Sequence, residues 1–121
     1  MEQKPNYDLK QRLLNYAAKI VELCNVPYTV CAAQHVSRQL LRSGTSPLAN
    51  HGKSESSEST KDFIHKLSIS LKELRESNRW LLLIQKTKVF PNAPDLPHLL
   101  DETDQLIRHF VASIKTAKKR L

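Results

Sequence analysis

The chain contains little glycine, and its β-branched residues do not cluster in alternating runs. Only two of its 121 residues are glycine, and 40% are apolar, which is enough for a hydrophobic core. Glycine scarcity and the lack of alternating β-branched runs both favour helix over sheet. The length fits one domain and leaves no room for a second core. We therefore predict a single all-α domain spanning residues 1–121.

Cysteine and long apolar segments are also scarce. The two cysteines, Cys24 and Cys31, are too few for the disulfide framework of a small secreted domain. No apolar run approaches the roughly 20 residues that a membrane span needs. The first ten residues, MEQKPNYDLK, lack the basic-then-apolar order of a signal peptide. These absences predict a reduced, cytoplasmic protein without a membrane partner.

Sequence patterns typical of catalysis and of metal binding are missing as well. The five histidines have no spacing of the kind that holds zinc. Ser46, His51 and Asp62 can be drawn as a catalytic triad, but nothing in the sequence indicates a nucleophile elbow or an oxyanion hole. No phosphate-binding loop or dinucleotide motif is present. We therefore expect no enzymatic activity, no catalytic residues, no metal and no cofactor.

Apolar residues at alternating spacings of three and four predict four helices. In the first helix, for example, Leu9, Leu13 and Tyr16 lie on one face. The predicted helices cover about residues 7–25, 28–50, 60–87 and 97–119, with a possible break at 44–47, where Gly44 and Pro47 occur. Residues 51–59 contain no apolar side chain and are predicted to form a solvated loop. Because the connections are short, an up-down-up-down four-helix bundle is expected.

Two local patterns in the third helix carry further predictions. Ser59 to Asp62 resembles a capping box, with aspartate in place of the usual glutamate. Near the other end of this helix, apolar residues extend beyond one stripe. A helix that is apolar on more than one side is buried on more than one side, so we predict a subunit contact there. The residues assigned to this contact are Trp80, Leu83 and Ile84.

The chain is strongly basic, with a net charge of +7 and a pI near 9.6. Such a balance favours an anionic partner, for example nucleic acid. The predicted nucleic-acid-binding residues are Arg38, Arg42, Lys53, Lys115, Lys118, Lys119 and Arg120. For Arg38 and Arg42 the alternatives are a solvated face or intersubunit ion pairs. For the C-terminal cluster, which consists of Lys115, Lys118, Lys119 and Arg120, the alternative is helix-end charge that aids solubility. Aromatic residues do not interleave with these charges, so only backbone contacts are expected.

Three stretches, QLLRSGTSPLAN (39–50), ESTKDFIHKLSISLKELRESNRWL (58–81) and DETDQLIRHFVASIKTAKK (101–119), resemble a known family. It is the four-helix-bundle family of 23S rRNA intervening-sequence proteins. The resemblance implies a ring-shaped homopentamer. A related branch, the accessory variability protein of diversity-generating retroelements, is similar by fold and charge only and binds a reverse transcriptase and nucleic acid. The family usually has a glutamate near position 53, where this chain has Lys53.

These observations together predict a ring-forming basic protein that contacts RNA or DNA backbone as an accessory factor. One alternative is a scaffold for a protein partner such as a reverse transcriptase. Another is a product of an rRNA intervening sequence that has no cellular task.

Overall fold

The computed structural model describes residues 5–90 and 93–121, with side chains from Leu9 onward in the first helix. Four helices follow one another along the chain: α1 (Pro5–Cys24), α2 (Cys31–Ser54), α3 (Thr60–Lys86) and α4 (Leu96–Lys118). Each packs against the next, and α1 also contacts α4. Within the described residues there is no strand. The predicted all-α bundle is therefore confirmed.

The second helix differs most from its predicted bounds. It begins at Cys31 rather than near residue 28, continues through Gly44 and Pro47 without a break, and ends at Ser54. The prediction that the loop begins at residue 51 was therefore wrong. Pro47, His51 and Ser54 face inward at helical spacing and are all buried. Packing of this inner face holds residues 51–54 in the helix, although their polarity is typical of a loop.

The start of α3 confirms the first half of the capping box. The hydroxyl of Ser59 accepts a hydrogen bond of 3.0 Å from the backbone N–H of Asp62. The carboxylate of Asp62 accepts from the N–H of Glu58, at 3.3 Å, rather than from that of Ser59. Both interactions satisfy N–H groups that lack helical partners, so this sequence defines where α3 begins.

A polar layer crosses the centre of the bundle, with one residue from each helix. The hydroxyls of Tyr16 (α1) and Thr103 (α4) lie 2.7 Å apart, and those of Ser43 (α2) and Ser77 (α3) lie 2.8 Å apart. All four residues are almost fully buried. Burial raises the pKa of Tyr16 to about 12, against the opposing hydrogen bonds of Thr103 and Ser77. Because each buried hydroxyl needs a partner, this layer restricts the axial register of the helices.

Candidate nucleic-acid interface

Two separate basic segments of the sequence meet at one end of the bundle. Because α2 and α4 both run toward that end, Lys53 lies there with the C-terminal cluster. Arg120 lines a cleft of about 530 Å³ at this end together with His51 of α2, and Glu55 and Glu58 line the same cleft. We call this group the basic end; it consists of Lys53, Lys115, Lys118, Lys119 and Arg120, all of which are exposed.

The two predicted arginines of α2 have different surroundings. Arg42 forms ion pairs with two glutamates of α3: its Nη1 lies 2.9 Å from Oε2 of Glu73, and its Nη2 contacts Oε2 of Glu76. Arg42 thus has partners within its own chain, and its role in a phosphate-binding stripe stays a prediction. Arg38 is exposed and has no ion pair among the described residues. It lies away from the basic end, so the structure does not bring Arg38 and Lys53 together.

The outward side of α3 carries a basic surface that the predictions from sequence did not include. Its five exposed members recur at spacings of 11, 3, 4 and 7 residues, which keeps them on one side of a helix. Among residues 5–90 and 93–121, none of the five has an ion pair or a side-chain hydrogen bond. We call this surface the α3 ridge; it consists of Lys61, Lys72, Arg75, Arg79 and Lys86.

The α3 ridge contains no acidic residue, because the acids of α3 are engaged elsewhere. Glu73 and Glu76 point toward α2, where Arg42 binds both. Glu76 also accepts a hydrogen bond of 3.0 Å from the indole N–H of Trp80. Asp62 pairs with the ammonium of Lys66 at 2.8 Å, and this hydrogen bond is the main reason that its pKa is lowered. The unpaired charge on the outward side of this helix is therefore positive.

The predicted subunit contact is only partly available on the surface. Ile84 is 3% exposed and belongs to the core of its own chain, which corrects its assignment to an interface. Leu83 is 44% exposed, and its neighbour Leu82 is 47% exposed. Trp80 is half-buried against the core, with its ring edge-on to His35. The apolar surface at this end of α3 is therefore formed by Leu82 and Leu83, beside Trp80.

Other candidate sites are sparse in the described part of the chain. Residues 5–90 and 93–121 contain no cluster of three or more histidine, cysteine or acidic side chains that could hold a metal ion. Cys24 and Cys31 are both free, and burial raises the pKa of Cys24 to about 11. None of the described helices is apolar over a length sufficient to cross a membrane.

Comparisons with known proteins agree with this architecture. Residues 6–112 match the model of the family described as 23S rRNA-intervening sequence protein. A solved structure from Bacteroides thetaiotaomicron, of a protein with unknown function from the S23 ribosomal protein family, superposes with a TM-score of 0.78. It is 31% identical, and the match covers 91% of this chain and 97% of that one. No curated protein matches. The chain therefore belongs to the family of 23S rRNA-intervening sequence proteins.

Proposed function

We propose that this protein is a non-enzymatic, cytoplasmic accessory factor that binds the backbone of RNA or DNA. The observation that carries the proposal is the basic end, where Lys53 and the four basic residues 115, 118, 119 and 120 come together. None of these five side chains has an ion pair among the described residues. Cations that are exposed and unpaired can replace the counterions condensed on phosphates, and their release favours binding.

Assembly would multiply the effect of this surface. In the proposed homopentamer, each protomer contributes one basic end, so that a weak patch is repeated five times around a ring. Repeated contacts raise the effective affinity for a long polyanion, provided that several patches reach it at once. The exposed side chains of Leu82 and Leu83 support self-association, because neighbouring exposed leucines are a candidate contact surface.

The same leucines favour a second candidate function, a scaffold for a protein partner such as a reverse transcriptase. In that case Leu82 and Leu83 would contact the partner, and the basic surfaces would serve solubility or a joint contact with nucleic acid. Co-purification of a protein that survives nuclease treatment would favour the scaffold. A protein with neither partner would fit the third alternative, a product of an intervening sequence without a cellular task.

The test of nucleic-acid binding is fluorescence anisotropy with a labelled RNA hairpin at about 0.05 M and about 0.2 M salt. The double variant Lys119→Gln/Arg120→Gln removes two charges from the basic end. A matched control, Lys19→Gln/Arg108→Gln, removes one lysine and one arginine from exposed ion pairs of α1 and α4, which contribute little to stability.

We expect the wild type to bind and to release the hairpin as salt rises. The basic-end variant should bind more weakly, and the slope of log affinity against log salt concentration should fall by about two for each protomer in contact with the RNA. An affinity that does not change between the two salt concentrations would refute electrostatic binding. Equal losses of affinity in the basic-end variant and the control would show that the basic end is not the binding site.

A further inference from the structure

We propose that the α3 ridge is the surface on which the backbone of a double-helical nucleic acid docks. This inference rests on the proposed function and specifies both the surface and the form of the ligand. The ridge starts at Lys61, which lies at the same end of the bundle as the basic end, and reaches the opposite end at Lys86. The ridge and the basic end therefore share one end of the bundle.

The dimensions of the ridge suit a duplex. Lys61 and Arg79 bound the part of the ridge that precedes Leu82 and Leu83, and at about 1.5 Å per residue they are separated by about 27 Å along the helix axis. One turn of B-form duplex is about 34–36 Å long. A rigid helix carrying cations over this length can contact phosphates along most of a turn without bending the duplex.

The electrostatics of the ridge favour phosphate over solvent ions. Glu76 lies four residues after Lys72 and three before Arg79, but Arg42 binds it together with Glu73 on the side toward α2. An exposed helix usually carries charges of both signs, which pair at spacings of three or four residues. Here the five ridge cations form no ion pair within the described residues, so they remain available to an external anion.

The aromatic residues of α3 argue for a duplex rather than a single strand. Binding of unpaired bases relies on exposed aromatic side chains on which the bases stack. Phe63 and Trp80 are the aromatic residues of α3, and both are half-buried against the core. The indole N–H of Trp80 is already bonded to Glu76. Leu82 and Leu83, the proposed contact between protomers, lie between Arg79 and Lys86. In the assembly the duplex would therefore dock on the part of the ridge from Lys61 to Arg79, where Lys72, Arg75 and Arg79 are the most closely spaced.

The test compares three forms of the full chain: the wild type, the ridge variant Lys72→Gln/Arg75→Gln, and the control Lys19→Gln/Arg108→Gln. Each variant loses one lysine and one arginine. Binding is measured by anisotropy to a labelled duplex of about two helical turns and to a single strand carrying the same number of phosphates. RNA and DNA versions of each probe show which duplex is preferred. Thermal unfolding followed by circular dichroism verifies that the exposed substitutions leave the fold intact.

We expect the duplex to bind more tightly than the single strand. The ridge variant should lose roughly tenfold or more in duplex affinity at about 0.1 M salt, and the slope of log affinity against log salt concentration should fall by about two for each protomer in contact with the duplex. The control should stay within about twofold of the wild type.

Failure of this inference is distinguishable from failure of the proposed function. A ridge variant that binds the duplex as the control does would overturn the ridge while leaving binding at the basic end intact. Tighter binding to the single strand would overturn the choice of ligand. If the wild type binds neither probe at low salt, the proposed function fails and the ridge proposal fails with it.

Discussion

The backbone of Gly44 in α2 lies directly against the side chain of Ile20 in α1. A Cβ atom at position 44 would lie 2.8 Å from Cγ2 and 2.9 Å from Cγ1 of Ile20, which is closer than real Cβ contacts come. Ile20 is fully buried, and its β-branched side chain is restricted at χ1. The close approach of α1 and α2 therefore depends on the missing side chain at position 44.

This contact predicts opposite effects for the two glycines of α2. Gly44→Ala should destabilise the fold, since overpacking costs about 1–3 kcal/mol and outweighs a helix-propensity gain of up to about 1 kcal/mol. Gly52→Ala is the matched control, because nothing lies within 4 Å of a Cβ at that position. It should stabilise the helix by about 0.5–1 kcal/mol. Denaturant unfolding measures both, and equal stability of the two variants would contradict the close contact.

The polar layer predicts that Tyr16→Phe lowers the free energy of unfolding only modestly. The hydroxyl of Thr103 donates to the carbonyl of Leu99 at 2.6 Å, so the bond of 2.7 Å between Tyr16 and Thr103 is donated by the phenol. Removing the phenol leaves Thr103 with its carbonyl partner, and the loss should be about 1 kcal/mol in free energy of unfolding. A loss above about 3 kcal/mol would show that the layer acts more cooperatively than one hydrogen bond.

The raised pKa of Tyr16 also predicts alkaline instability. In the unfolded chain the phenol ionises near its ordinary value of 10.0, whereas in the folded chain it keeps its proton to about pH 12. Between these values the unfolded state binds fewer protons, so stability falls as pH rises. Denaturant midpoints measured from pH 9 upward should fall less steeply for Tyr16→Phe than for the wild type. Parallel curves would contradict the buried position of the phenol.

His51 predicts a loss of stability in acid. Burial lowers its pKa below the ordinary value of 6.5; Lys10 adds to the effect and Glu55 opposes it. As pH falls through 6.5, the unfolded chain takes up this proton first, and stability therefore decreases. His51→Gln should weaken the dependence between pH 7 and pH 5. Unfolding midpoints over this range test it; identical slopes for His51→Gln and the wild type would refute the prediction.

The apolar end of α3 predicts which substitution disrupts assembly. Leu83→Glu places a charge on a side chain that is 44% exposed, so the chain should fold while the proposed pentamer dissociates. Trp80→Glu should break assembly or folding, because the indole also packs on the core. Leu14→Glu is a control at a leucine of α1 that is 48% exposed. Light scattering coupled to size exclusion reports the mass, and a pentamer that persists in Leu83→Glu would exclude the predicted contact.

Individual residues show how far the predictions from sequence extended. The apolar spacing of Leu67, Leu74 and Leu81 predicted α3, and these residues are buried as that spacing requires. The end of α2 was predicted too early, because buried polar residues such as His51 and Ser54 do not differ in composition from loop residues. Ile84 was assigned to an interface because it ends a run of four aliphatic residues, 81–84, and only packing shows which of them face inward.

The candidate interface required the tertiary structure for the same reason. The basic composition predicted an anionic partner, but it did not distinguish an arginine with partners from one without. Arg42 binds Glu73 and Glu76 across the contact of α2 with α3, and the sequence separations of 31 and 34 residues in these pairs are not visible as local patterns. The α3 ridge shows a spacing that was present in the sequence, yet its importance depends on where the acids of the helix point.

The amino-acid sequence by itself determined the helices, the start of α3 and the positive charge, because these follow from local periodicity, capping and composition. Only the tertiary structure decided which charges are free, which polar residues are buried and where α1 and α2 touch at Gly44 and Ile20. The physical reason is that local preferences act over three or four residues, whereas ion pairs, buried hydroxyl pairs and close packing join residues from different helices.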